Sequence, residues 1–269
     1  MKFPIALQLY TVRDEMEADF AGTLKEVKAM GYEGVEFAGL FGRNASEVKA
    51  LCEEIGLDPI SAHVPFVDMI NDPSILDDYA AIGCKYVVIP YLTEEYRPGN
   101  EKFREVIEGA AMLGEKAKAL GMTLAYHNHD FEFTKLDGVY ALDILYKDVP
   151  ADILQAELDT CWVRVGGEDP AGYVRKYAGR VDVLHLKDYF GSKTENMYAL
   201  IGLDEDEKKD TKGKFEFRPL GSGVQDFPGI LAAAAESGVK WVVVEQDEPS
   251  MGLNRMESAK KSIEYLKTL

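Results

Sequence analysis

One repeated join constrains the fold more than any other feature: an amphipathic helical stretch, a glycine, then a short apolar run that ends in polar side chains. It recurs at Met30-Gly31-Tyr32, Ile55-Gly56-Leu57, Ile82-Gly83-Cys84, Leu120-Gly121-Met122, Ala178-Gly179-Arg180 and Ser237-Gly238-Val239. Glycine just past a helix supplies the left-handed residue that stops it, because there is no Cβ to clash. At Asp148-Val149-Pro150 a proline has the same effect. The recurrence means that strands and helices alternate, which implies a parallel sheet joined by right-handed crossovers.

The apolar runs predict strands at about 4–10, 33–38, 58–63, 85–91, 122–128, 152–159, 181–187 and 239–245. Helices are predicted at about 17–30, 45–55, 72–82, 101–120, 138–147, 169–178, 226–237 and 253–267. Runs such as Tyr86-Val87-Val88-Ile89 are apolar on both faces, as buried parallel strands are. Asn71-Asp72-Pro73, Asp169-Pro170 and Asp226-Phe227-Pro228 read as helix starts. Eight βα units in 269 residues give an α/β fold closed as a single (β/α)8 barrel, one domain over 1–269. A doubly wound dinucleotide-binding sheet is disfavoured, since Gln8–Asp14 after the first strand holds no glycine. A long loop at about 188–224, after the seventh strand, breaks the rhythm. Its middle, Asp204–Lys214, is densely charged and reads as a lid, an oligomer contact or a solvated insertion.

A formal net charge of -17 repels phosphate backbones, so a nucleic-acid partner is not expected. Cys52, Cys84 and Cys161 are odd in number and lack metal or redox spacing, which favours a reducing compartment. The chain enters its first strand directly after Met1-Lys2, and no apolar run approaches the roughly 20 residues of a membrane helix. The expectation is a cytoplasmic protein with no membrane partner.

All four histidines, His63, His127, His129 and His185, fall where an apolar run ends, as do Glu157, Asp159, Lys187, Glu245 and Asp247. In a barrel these ends converge on one mouth, where ligands bind. One Asp–His pair would equally be a buried ion pair. Asp159, His185 and Glu245 together read as ligands of a divalent ion, because imidazole and carboxylate suit such ions.

The stretches Leu7–Asp14, Gly31–Phe37, His63–Phe66, Tyr126–Phe133, Leu158–Thr160, His185–Asp188, Pro219–Gly223 and Val244–Asp247 resemble the xylose isomerase-like TIM barrels. That family includes sugar isomerases and epimerases, inosose dehydratases and endonuclease IV-type repair enzymes. The resemblance implies one divalent metal held by Glu, Asp, His and Glu from strands five to eight. Manganese is the first expectation, before cobalt, magnesium, iron or zinc. Asp159, His185 and Glu245 carry over, while His127-Asn128-His129 stands where many members have Glu-Asn-His. His127 therefore takes the fourth ligand position, with Glu132 or His129 as substitutes. The family's epimerases set a glutamate on each face of the substrate, and here the strand-five glutamate is missing.

The activity implied is isomerisation or epimerisation of a sugar or sugar-like polyol, begun by proton abstraction next to a carbonyl. Elimination or hydration on a keto-sugar or keto-glycoside is the alternative, since it tolerates the missing glutamate. Glu245, His63 and His129 are candidate bases, and Lys187 a candidate acid or enolate stabiliser unless it pairs with Asp188 or Glu157. Substrate contacts are expected from Glu36, Tyr10, Phe66, Glu132 and Trp162, with Phe37, Tyr91 and Phe131 as further aromatics near the mouth. Glu36 would otherwise pair with Arg13. The Gly221-Ser222-Gly223 turn offers amides to a substrate phosphate. Two other classes compete. A DNA-repair nuclease is opposed by the acidic surface and the few histidines. A non-catalytic sugar-binding barrel is opposed by the retained Asp159, His185 and Glu245. A homo-oligomer is left open.

Overall fold

The computed structural model describes residues 3–194, 198 and 215–269. Eight parallel strands close a barrel: β1 (Ile5–Gln8), β2 (Gly34–Phe37), β3 (Asp58–His63), β4 (Tyr86–Ile89), β5 (Thr123–His127), β6 (Leu154–Asp159), β7 (Val183–Leu186) and β8 (Trp241–Val244). Each pairs with its neighbours in chain order, and β8 closes on β1 through Ile5↔Val242, Ala6↔Val243 and Leu7↔Val244. Every strand lies within its expected span, and the (β/α)8 expectation is borne out. The six join glycines all have positive φ, from 74° at Gly56 to 110° at Gly83, so each helix ends in the left-handed residue its sequence supplies.

The helices between strands differ from expectation in detail. The first is split at Asp19 (φ -150°, ψ 84°), whose carboxylate caps the Gly22 amide of the helix Phe20–Met30. Asp72 ends a short helix, Phe66–Asn71, and the helix expected from 72 begins at Ile75. Asp169 and Asp226 cap as expected, each accepting an amide three residues on. Further short helices, Arg13–Ala18 and Thr160–Val165, also follow strand ends. No described helix is long and apolar enough to cross a membrane.

A small apolar cluster, Ala6, Ile60, Tyr86, Val88, Ala125, Val183 and Val243, is separate from the main helix–strand core and lies inside the barrel. The Tyr86 hydroxyl reaches Asp182 at the foot of β7, 3.1 Å away, which spans the lumen. This dry plug closes the strand-start end, so polar side chains on the inner face collect at the other end.

After β7 the chain forms an antiparallel hairpin, Asp188–Gly191 against Phe215–Arg218. The Asp188 carboxylate accepts amides from Tyr189 (2.9 Å), Gly221 (3.0 Å), Gly223 (2.8 Å) and Gln225 (3.2 Å). The anion expected on the Gly221–Gly223 turn is thus the chain's own carboxylate, which corrects the phosphate reading. Gly223 is required by this close approach, since a Cβ there would lie 2.2 Å from the Tyr189 carbonyl oxygen. The charged stretch 204–214 lies outside the described residues.

Candidate active site

Side chains two apart on a strand share a face. That periodicity puts Glu157 and Asp159 of β6 on the inner face together, and aligns Lys187 with His185 and Asp247 with Glu245. Glu36 enters from β2, Ser61 and His63 from β3, and His127 from β5. The result is a buried polar layer with two faces.

On the cavity side, His127, Asp159, His185 and Glu245 each offer one ligand atom, all within 4.8 Å of one another. His127 Nε2 lies 3.7 Å from Asp159 Oδ2, and His185 Nδ1 lies 3.1 Å from Glu245 Oε2. The Lys187 ammonium stands among three carboxylates: Glu245 at 2.8 Å, Asp247 at 3.0 Å and Asp159 at 3.4 Å. Below this, Glu36 Oε1 accepts from Gln8 Nε2 at 2.7 Å and lies 2.8 Å from His185 Nε2 and 3.0 Å from His63 Nε2. Ser61 donates to the other Glu36 oxygen. Glu157 Oε2 lies 2.7 Å from His63 Nε2, 3.2 Å from His127 Nδ1 and 3.3 Å from His185 Nε2.

The cavity-side residues fit a divalent ion. Asp159 Oδ1 caps the helix that follows it, accepting the Cys161 and Trp162 amides at 2.7 and 3.0 Å. Its Oδ2 is buried, points into the group and has no hydrogen-bond partner among the described residues. Two imidazoles and two carboxylates are a donor set suited to manganese, iron, cobalt or zinc.

Electrostatics divide the group. Burial pushes His127 and His129 well below the usual histidine range, with His185 adding to it at His127 and Lys187 at both, which favours the neutral rings. Burial opposes charge on His185 and His63 too, but the Glu157 and Glu36 carboxylates outweigh it, raising His63 to about 10 and His185 well above normal. Lys187 is likewise held charged by Asp247, Glu245 and Asp159 against its burial. Burial raises Glu157 to about 7 and Asp247 to about 6, in the second case against the pull of Lys187. Glu245 is held low by Lys187 and His185 despite burial.

A cavity of about 880 Å³ opens over this layer. Its floor carries His63, His127, His129, Lys187, Glu245 and Asp247, and its walls include Tyr10, Phe66, Tyr79, Tyr91, Tyr96 and Arg97.

A family profile described as xylose isomerase-like TIM barrel matches residues 24–269. The chain belongs to this family. The inosose dehydratase of Geobacillus kaustophilus is 22% identical over 272 residues, 91% of this chain and 86% of that one. The inosose dehydratase of Clostridium beijerinckii is 23% identical over 278 residues, 93% and 90% of the two chains. Among solved structures, a sugar phosphate isomerase/epimerase from Parabacteroides distasonis superposes with a TM-score of 0.79 at 25% identity, covering 100% of this chain and 99% of that one.

For a xylose isomerase-like barrel, the residues singled out in the sequence separate into three groups. His127, Asp159, His185, Glu245, Lys187 and His63 meet at the mouth, with His129 beside them. Tyr10, Phe66 and Tyr91 border the cavity, whereas Phe37 is core and Phe131 stacks on His129 with ring centroids 5.5 Å apart. Glu36 faces His63 and His185 rather than Arg13, whose guanidinium goes to Glu248 at 2.5 Å. Trp162 lies behind Lys187, which sits 5.7 Å from its ring centre, and does not border the cavity. Lys187 and Asp188 point to opposite sides of the chain, so their pairing does not form. Glu132 turns away from the mouth, where its carboxylate accepts from the Tyr126 hydroxyl at 2.6 Å and the His129 amide at 2.8 Å. Burial raises this carboxyl to about 8. Glu132→Ala is expected to lower stability by about 2–4 kcal/mol, because a buried hydroxyl and amide lose their acceptor. Urea unfolding would measure it, and a loss below about 0.5 kcal/mol would contradict the pinning role.

Asp247 had no role assigned from sequence, and Glu157 was expected only as a possible partner of Lys187, whose ammonium goes instead to Glu245, Asp247 and Asp159. The period of two, applied from Glu245 and Asp159, was the available signal. Arg97 had none. It comes from the irregular segment after β4, and its guanidinium lies 5.1, 4.9 and 4.4 Å from the ring centres of Tyr91, Phe131 and Tyr198.

Proposed function

We propose that this chain is a divalent-metal-dependent enzyme that isomerises or epimerises a sugar or sugar-like polyol by removing a proton next to a carbonyl. The observation that carries this is the convergence of Glu245, Asp247, Lys187 and His129 on the floor of one cavity with aromatic walls. A divalent ion on His127, Asp159, His185 and Glu245 would polarise a substrate carbonyl or hydroxyl oxygen. Lys187, held charged, donates to the oxygen on which negative charge develops. Glu245 and Asp247 offer carboxylates to take the proton, and Asp247 at about 6 lies near the working pH that a base requires. His129 is neutral, its Nδ1 is buried with no hydrogen-bond partner among the described residues, and it borders the cavity from the β5 side. A neutral ring there would accept a proton on that face, and the proton would return from the carboxyl side, where Asp247 titrates at about 6.

One observation favours a second reading, loss of water from the same enolate. The β5 side of the cavity presents imidazoles, His127 and His129, in place of a second carboxylate. A neutral imidazole that takes the proton from the carbon next to the carbonyl and passes that same proton to the departing hydroxyl, which leaves as water, completes an elimination, which accords with the inosose dehydratase names of the relatives.

The test is to incubate manganese- or cobalt-loaded protein with keto-sugars and keto-polyols in heavy water, followed by NMR. Deuterium at the carbon next to the carbonyl, with a new epimer or isomer, is the expected result. Exchange accompanied by a new conjugated ketone absorbance selects the elimination. Binding without exchange for any compound would overturn both in favour of a non-catalytic barrel.

A further inference from the structure

We propose that the barrel holds a second divalent cation, one layer below the first, on Glu36, His63, Glu157 and His185. These four side chains come from β2, β3, β6 and β7, and Glu36, Glu157 and His185 are fully buried. His63 Nε2 lies 3.0 Å from Glu36 Oε1 and 2.7 Å from Glu157 Oε2. His185 Nε2 lies 2.8 Å from the same Glu36 oxygen and 3.3 Å from the same Glu157 oxygen. Each imidazole nitrogen carries at most one proton, which points to one acceptor. Hydrogen bonds therefore serve two of these four contacts, whereas one cation at the centre serves all of them. An ion with four bonds of about 2.0–2.1 Å sets its ligand atoms about 3.3 Å apart; the His185–Glu157 contact has that spacing, and the other three, at 2.7–3.0 Å, would open by a few tenths of an ångström around a bound ion.

Two further observations point the same way. Glu157 Oε1 is buried without a hydrogen-bond partner among the described residues, so the carboxylate has a second oxygen to offer. Glu36 is oriented by Gln8 Nε2 at 2.7 Å and by Ser61, the kind of outer hydrogen bonds that aim a ligating carboxylate.

The two sites interlock through shared rings. A neutral imidazole has one lone pair and one N–H. His185 gives Nε2 to the inner ion, and its Nδ1–H faces Glu245 Oε2 at 3.1 Å. His127 turns the other way, with Nε2 toward Asp159 and Nδ1–H toward Glu157 Oε2 at 3.2 Å. Each ring thus ligates one ion and donates to a carboxylate of the other, the usual partner of a ligating histidine. The inner ion has four protein ligands and is closed. With both ions bound, the outer keeps His127, Asp159 and Glu245 and an open side toward the cavity, as catalytic sites do.

The inner site does not rest on the proposed reaction, because Glu36, His63 and Glu157 serve it alone. The experiment is elemental analysis after loading with zinc or cobalt and extensive dialysis, on the wild type, Glu157→Gln, Glu36→Gln and Asp159→Asn. Circular dichroism checks that each variant is folded. The wild type is expected to hold about two equivalents, and each variant about one. A wild type holding one ion, kept by the glutamate variants and lost in Asp159→Asn, overturns the inner site and leaves the outer one standing. One ion with the opposite pattern upholds the inner site and removes the outer. A wild type that holds none overturns both.

Discussion

His185→Ala is expected to emerge from purification without stoichiometric metal and with activity reduced by more than about 100-fold, the upper cost of losing even an outer-shell partner of a metal. The ring stands between Glu36, Glu157 and Glu245, at 2.8, 3.3 and 3.1 Å. No other side chain touches all three carboxylates among the described residues. Its removal also leaves buried negative charge without its partner, a change that costs about 3–5 kcal/mol when one member of a buried pair is deleted. Elemental analysis and urea unfolding, run on the variant beside the wild type, read the two effects separately. A variant that keeps full metal and full activity would remove His185 from the site altogether.

Lys187→Met is expected to lower kcat by about 100- to 1000-fold, the range for deleting one donor to a developing oxyanion. It is also expected to lower stability in chelator by about 3–5 kcal/mol, because Asp159, Glu245 and Asp247 lose the ammonium that holds them together. The two effects part when metal is added. An ion among the same carboxylates supplies the missing positive charge and binds only the folded chain, so added manganese should stabilise the variant more than the wild type. Unfolding curves with chelator and with excess manganese give the comparison. If metal stabilises the two proteins equally, the ammonium and the ion do not share these carboxylates.

Much of the fold was legible because its punctuation is local. A glycine after a helix acts through its own φ, and the joins at Gly31, Gly56, Gly83, Gly121, Gly179 and Gly238 each adopt the left-handed geometry that their position requires. Strand spans followed from apolar runs. Helix starts were legible where a capping aspartate meets proline, at Asp169 and Asp226, and failed at Asp72, where the chain makes one more short turn over the mouth. That turn begins at Phe66, whose burial against the cavity wall is a tertiary effect invisible in the local pattern.

The site was legible in kind and less so in arrangement. Strand-end position marks His127, Asp159, His185 and Glu245, since a closed parallel barrel brings all strand ends together whatever the loops do. Distances, partners and depth are different matters. Whether Glu36 meets Arg13 or His185, whether Glu132 faces substrate or pins the His129 loop, and whether the Gly221–Gly223 amides take a phosphate or Asp188 were decided by elements far apart in the chain. The sequence by itself determined the alternation of strand and helix, the closure it implies and the chemical types gathered at the mouth, because each is set by residues a few positions apart. Only the tertiary structure decided which carboxylate faces which imidazole, because those pairings join β2, β3, β5, β6, β7 and β8 across the lumen, where burial turns differences of an ångström into the choice between a proton and an ion.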